Sequence, residues 1–191
     1  LKSFIEKCKS NGQIGGIYWT PFTDWARDPE RTVDAAPEYK YKDIYLYANG
    51  KPQELDGAYA VDPTHPAVEA MMKKTSGLFH RAGFEYVKMD FMTHGAMEAD
   101  KWYNPEITTG IQGYNYGMKL LNLYFGDMYI NLSISPVFPA QYAQSRRIAC
   151  DAWNQIKDTE YTLNALSYGW WQKYIYQYND ADHIVLRDAT D

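Results

Sequence analysis

Cysteine is scarce in this 191-residue chain: Cys8 and Cys150 are the only two, far apart and set among apolar neighbours. They make neither a disulfide framework nor a C-x-x-C metal or redox pair, and they read as two buried free thiols. Lysine and arginine form no run, and the formal net charge is −5, so a polyanionic partner such as nucleic acid is not expected. No apolar stretch approaches the ~20 residues of a membrane span, so no membrane partner is expected either. The four histidines show no H-E-x-x-H or comparable ligand spacing, and no metal site is expected. Neither G-x-G-x-x-G nor a phosphate loop is present, and no cofactor is called for. An initial methionine is also missing. The opening "LKSFIEKCKSNG" reads as a helix already in progress, so the chain is expected to be a piece of something longer, and its start carries no information on compartment.

Aromatic residues, in contrast, are plentiful: six Trp and eighteen Tyr contribute to a 16% aromatic content. Flat apolar faces with a polar handle suit sugar rings, and they equally suit an aromatic core. The length is sufficient for one substantial core.

Leu1, Phe4, Ile5 and Cys8 fall at i, i+3, i+4 and i+7, a helical stripe stopped by Asn11-Gly12. "IGGIYWTPF" then reads as a buried strand ending at Pro21. Residues 23–57 are charged and tyrosine-rich, an inserted excursion rather than a core element, with a hairpin predicted at Asn49-Gly50. A short strand is expected at 58–61. Asp62 or Thr64 can cap the next helix, which has Pro66 in its first turn and Val68, Met71, Met72 and Leu78 on its inner side. Gly83 ends that unit, and the strand in "FEYVKMDFMTHG" follows. A helix near 110–125 precedes the strand "DMYINLSIS". A short strand or turn is expected at "SRRIACD", then a helix around 155–167, then a strand "DHIVL" at 182–186.

Strands alternating with helices argue for an α/β fold with parallel strands. An open doubly wound sheet and a (β/α)8 TIM barrel both fit. The barrel is favoured, because Thr20, Asp24, Asp90, Ser135, Asp151 and Asp182 all fall at or just beyond strand ends, where barrels place functional groups.

Three stretches carry candidate chemistry. Lys88 and Asp90 are two apart in a strand and share a face, as a buried ion pair or as a site in which the cation keeps the acid ionised. Arg147 and Asp151 are four apart and share a side in either backbone form. With Ile148, Ala149, Cys150 and Trp153 around it, Asp151 is expected in a less charge-compensated setting, where an acid holds its proton longer. Two carboxyls with such divergent environments form the acid/base arrangement of glycoside hydrolysis, although an Arg–Asp pair also occurs as a solvated ion pair. Asn179, Asp180 and Asp182 allow a turn cap, a cation site or hydrogen bonds to ligand hydroxyls. Trp170-Trp171 reads as core, and the sequon at Asn131, in a buried strand, as chance.

Taken in order, these motifs resemble those of clan D glycoside hydrolases, the α-galactosidase families 27 and 36. Lys88-Met89-Asp90 matches the family's K-x-D strand, and Arg147 to Asp151 matches its R-x-x-x-D. Asn179-Asp180-Ala181-Asp182 matches N-D-P-D with alanine in place of proline, and Gly16-Ile17-Tyr18 matches an upstream G-[IL]-[YW]. "SISPVFP" departs from the family's sugar-contacting Cys-Glu or Cys/Ser-Gly pattern. The early acidic pair that grips the sugar has no counterpart.

The resemblance implies a partial barrel over residues 1–191, about strands three to seven, and a retaining mechanism acting on an α-galactoside. The alternatives are another clan D activity (on an α-N-acetylgalactosaminide, a β-L-arabinopyranoside or an isomalto-oligosaccharide, or glycosyl transfer) and a catalytically silent carbohydrate-binding barrel. In the retaining reading Asp90 is the nucleophile and Asp151 the acid/base. Lys88, Arg147, Tyr18 and Asp182 contact or orient substrate, with no metal and no cofactor. It also implies a secreted or periplasmic setting, and says nothing of oligomeric state.

Overall fold

A computed structural model describes residues 1–186. The main elements are α1 (Lys2–Ser10), β1 (Gly16–Trp19), α2 (Pro66–Ala82), β2 (Tyr86–Met89), α3 (Gly110–Phe125), β3 (Tyr129–Leu132), β4 (Ser145–Arg147), α4 (Ile156–Gly169) and β5 (Tyr178–Asp180). The five strands form one sheet in the order β1-β2-β3-β4-β5, every pair parallel. The architecture is thus mixed α/β around a parallel sheet. No described helix is long and apolar enough to cross a membrane.

Alternation along the strands separates two faces. Ile17 and Trp19, Val87 and Met89, Ile130 and Leu132 point to one side, where they join Met72, Phe79, Met118, Leu121 and Phe125 of α2 and α3 in the main core. On that same side, Trp19 stacks on Phe125 with ring centroids 5.5 Å apart. Tyr18, Tyr86, Lys88, Asn131, Ser145, Arg147 and Asp180 occupy the opposite face, which is polar throughout.

Helix α2 starts at His65, whose Nδ1 accepts the Ala67 N–H at 3.1 Å. Neither Asp62 nor Thr64 is the cap. The Asp62 carboxylate instead takes the Thr64 N–H, the Thr64 hydroxyl and the Tyr103 N–H, tying the loop after β2 to the start of α2. The inner row of α2 is Val68, Met72, Ser76 and Phe79, and Leu78, off that row, faces outward. Gly83 closes the helix at φ +90°, a conformation that favours glycine, with its N–H on the carbonyls of Phe79 and His80.

Several expectations are corrected by packing. Residues 23–57 fold into small antiparallel sheets, including the hairpin Tyr47–Ala48 with Lys51–Pro52 about Asn49-Gly50. They are not outside the core, because Val33, Ala36, Ile44 and Tyr45 are buried within it. β1 is an edge strand and only partly buried, with Gly16 and Tyr18 exposed. Phe4 of the α1 stripe is exposed while Ile5 is buried. Cys8 is half-buried and Cys150 exposed, so the thiols are not a buried pair. Trp170 and Trp171 lie in a 3-10 turn with much of their rings in solvent, not in a core. The last strand is Tyr178–Asp180 rather than 182–186. Asp180 accepts the Asp182 N–H at 2.9 Å, and Asp182 turns to φ +67°, which ends the extended run.

Candidate active site

Strand ends and the loops after them bring the candidate acids together. Asp90 directly follows β2, its N–H bonded to the Trp19 carbonyl of β1 at 2.9 Å, and it is 8% exposed. Its Oδ1 accepts the Phe91 N–H at 2.8 Å and its Oδ2 accepts the Tyr18 hydroxyl at 3.0 Å. Burial, then the charge of Asp90 and its hydrogen bond, then Asp151, push the Tyr18 hydroxyl well above its ordinary value. Tyr18 therefore remains a donor at neutral pH.

Asp151 follows β4 on an exposed turn, yet it is not poorly compensated, as its setting in the sequence implied. Arg147 Nη1 lies 2.5 Å from its Oδ1. The same guanidinium, 8% exposed in its side chain, has Nη2 2.9 Å from Asp182 Oδ2, close enough for an ion pair although the N–H is not well aligned on the oxygen. Asp182 also takes the Ala152 N–H at 3.0 Å. One cation thus spans two carboxylates.

Asp90, Ser133, Arg147 and Asp151 share the wall of one cavity of about 400 Å³, completed by Ile134, Trp153 and Tyr161 among others. Ser133 is fully buried, and its hydroxyl has no hydrogen-bond partner. Two backbone positions beside the cavity adopt conformations that L-residues avoid, Phe91 at φ +54° and Ile134 at φ +43°. Such positions cost about 1–3 kcal/mol each and persist only where neighbours over-determine them. That holds here: Thr93 donates both its N–H and its hydroxyl to the Ile134 carbonyl at 2.7 Å, and Trp25 packs edge-on against Phe91 at 4.7 Å. The 23–57 region therefore contributes Trp25 to the surroundings of Asp90.

Lys88 does not pair with Asp90. Its Nζ lies 3.8 Å from Asp180 Oδ2, three strands away in the sheet. Asn131 Nδ2 also reaches Asp180, at 2.7 Å, and the Tyr86 hydroxyl at 2.8 Å, while its Oδ1 accepts from Ser145 at 2.9 Å. Strands lie about 4.8 Å apart, so β3 and β5 would be about 9.6 Å apart in a flat sheet. Lys88 from β2 and Asn131 from β3 both reach Asp180 on β5, which shows that the polar face is concave. Burial opposes the charge on Asp180, but the Asn131 amide, the Asp182 N–H, Lys88 and Arg147 outweigh it and hold the carboxyl below its usual range.

Sequence reasoning brought Asp90, Arg147 and Asp151 into view, and these share the cavity wall. Tyr18 joins them through Asp90, and Asp182 through Arg147. Lys88 lies one layer below, on Asp180. For Asp180 the sequence allows a turn cap, a cation site or a ligand contact without naming its partners, and it gives no sign of Tyr86 or Ser145. Asn131, which the sequence offers only as a chance sequon, has a buried and fully engaged amide. The signal that finds Asn131 is strand parity, since "YINLS" alternates as "YVKMD" does and places Asn131 in register with Lys88.

No protein-family model matches this sequence, and no curated protein sequence does. Solved structures do match. The α-galactosidase TtGalA of Thermus thermophilus, in complex with p-nitrophenyl α-D-galactopyranoside, superposes with a TM-score of 0.70 at 19% identity, over 95% of this chain and 39% of that one. A GH27 β-L-arabinopyranosidase of Geobacillus stearothermophilus gives 0.61 at 19% identity, over 98% and 43%. An isomalto-dextranase of Arthrobacter globiformis T6, complexed with panose, gives 0.52 at 18%, over 82% and 29%. This chain thus spans less than half the length of each. Its fold is the one found in part of these glycoside hydrolase structures.

Proposed function

We propose that the chain is an arc of a (β/α)8 barrel, about strands three to seven, with residues 23–57 inserted, and that the protein is a retaining glycosidase acting on α-galactosides. Three features support the barrel. The strand order runs without the reversal that a doubly wound sheet needs. α2 and α3 pack on one face only, whereas doubly wound sheets are covered on both. The uncovered face is polar and concave. A complete barrel typically takes ~250 residues, so further chain is required to close the site.

The observation that carries the chemistry is the presence of Asp90 and Asp151 in one cavity wall beyond the carboxyl ends of β2 and β4. In this reading an Asp90 oxygen bonds to the anomeric carbon as the bond to the aglycone oxygen breaks, and Asp151 gives its proton to that oxygen. Water then attacks the same carbon, its proton goes to Asp151, and the bond to Asp90 breaks, leaving the original configuration. Protonation of Asp151 does not strand Arg147, which keeps Asp182 as its partner.

The likeness to both an α-galactosidase and a β-L-arabinopyranosidase supports this sugar class. The two sugars share a ring configuration and differ by the C5 hydroxymethyl group, so a panel of nitrophenyl glycosides ranks them. The test of mechanism is NMR of the first-formed product anomer together with Asp90→Asn. A retained product and loss of turnover in a folded variant are expected. An inverted product, or full activity in Asp90→Asn, removes the assignment.

A further inference from the structure

We infer that the protein carries a second saccharide-binding pocket, walled by the 23–57 region and the loop after β2, in which His65 donates to and Asp43 accepts from the hydroxyls of one sugar unit. The glycosidase reading guides the choice of sugar probe, while the pocket itself stands on its own geometry. It has a volume of about 600 Å³ and shares no wall residue with the Asp90 cavity. Sites for small organic ligands typically fall within roughly 300–1,000 Å³.

His65 lines this pocket and is only 4% exposed. Its ring is held edge-on between Tyr39 and Tyr103, with centroids 4.7 and 4.6 Å away. Because Nδ1 accepts the Ala67 N–H, the proton of the neutral ring sits on Nε2, which has no partner among the described residues. Burial lowers the His65 pKa and so favours that neutral form. That N–H is not sealed inside the protein, so it is open from the pocket to an acceptor on a ligand.

The remaining free groups match a polyol. Asp43 Oδ2 is taken by the Lys40 N–H at 2.8 Å, and its Oδ1 has no hydrogen bond among the described residues. Lys101 makes no ion pair among them, whereas Lys42 is held by Glu30 at 2.8 Å. Asp62 already accepts from three donors. An anion placed here meets Asp43, and a cation meets Lys101. A neutral sugar satisfies both, donating to Asp43 while accepting from His65 and Lys101. Tyr45, Tyr47 and Tyr103 supply rings for the apolar C–H faces. Trp102 adds a wall but not a donor, since its Nε1 lies against Gly113, where a built Cβ would sit 2.9 Å away.

Heteronuclear NMR of the intact protein carrying Asp90→Asn, titrated separately with galactose and stachyose, tests the proposal. The His65 and Tyr103 signals are expected to shift saturably, and Asp43→Asn or the exposed-ring variant Tyr103→Ala is expected to weaken that response about tenfold. Shifts confined to the Asp90 cavity, no shift anywhere, or unchanged affinity in both variants overturn the second pocket. Shifts at His65 with a silent Asp90 cavity leave this pocket standing and remove the glycosidase reading instead.

Discussion

The Tyr18 hydroxyl on β1 donates to Asp90 Oδ2 across 3.0 Å, from the strand paired with β2. A hydrogen bond to a carboxylate favours its charged form. If Asp90 is the nucleophile, that bond contributes most when the carboxylate is free, at the start of the cycle and again when the glycosyl-enzyme breaks down. Tyr18→Phe is therefore expected to slow breakdown more than formation. A bond to a charged group is worth about 1.5–3 kcal/mol, so a loss of roughly tenfold or more in the second step follows. Stopped-flow release of nitrophenol should then show a burst. Steady release without a burst, at the parent rate, argues against Tyr18 as a positioning residue.

If Asp151 is the acid, Asp151→Asn separates acid catalysis from binding. The value of kcat/KM reports the first irreversible step, in which a poor leaving group needs a proton and nitrophenolate scarcely does. Loss of a general acid is worth about 10²–10⁴-fold, and that loss is expected on stachyose, with a much smaller one on the nitrophenyl galactoside. Equal losses on the two substrates point to a structural role for the Arg147–Asp151 pair.

Helix α3 approaches Pro63 and Phe22 closely at Gly117. A Cβ there would lie 2.7 Å from the Pro63 ring and 2.8 Å from Phe22, which is fully buried. Replacing a mid-helix glycine by alanine ordinarily gains about 0.5–1 kcal/mol. Overpacking costs about 1–3 kcal/mol, and the neighbours here are a proline ring and a buried aromatic, so the clash prevails. Gly117→Ala should lower the thermal midpoint, and adding Phe22→Leu should restore part of it. A midpoint raised by Gly117→Ala alone would contradict this packing.

Acidification should act through His65. Burial depresses its pKa below the ordinary value of 6.5, so the unfolded chain binds the proton more readily than the folded one. The stability His65 contributes is present above its ordinary value and is lost as pH falls from there toward the depressed folded value. His65→Asn keeps a capping acceptor and removes the titration. Its thermal midpoint should fall less steeply with acid than that of the parent. Equal slopes would mean that other groups govern the response.

Strands and helices were largely legible because their periodicities are local. "YVKMD" and "YINLS" alternate, and that alternation alone sorts Lys88, Asp90, Asn131 and Ser133 from Val87, Met89, Ile130 and Leu132. The acids at strand ends were legible for the same reason. Residues whose partner lies on another strand were not: the Asn131–Asp180 pairing exists only when the sheet curves and brings them within 2.7 Å.

By itself the sequence determined the order of elements, the face each strand residue takes, and the placement of Asp90 and Asp151 beyond strand ends, since these follow from backbone period and chain direction. Tertiary structure alone decided the pairings: Lys88 with Asp180 rather than Asp90, Arg147 shared between Asp151 and Asp182, and His65 as the helix cap. The physical reason is range. Periodicity acts over a few residues, whereas an ion pair or a buried donor chooses among every group that the folded sheet brings within a few ångströms.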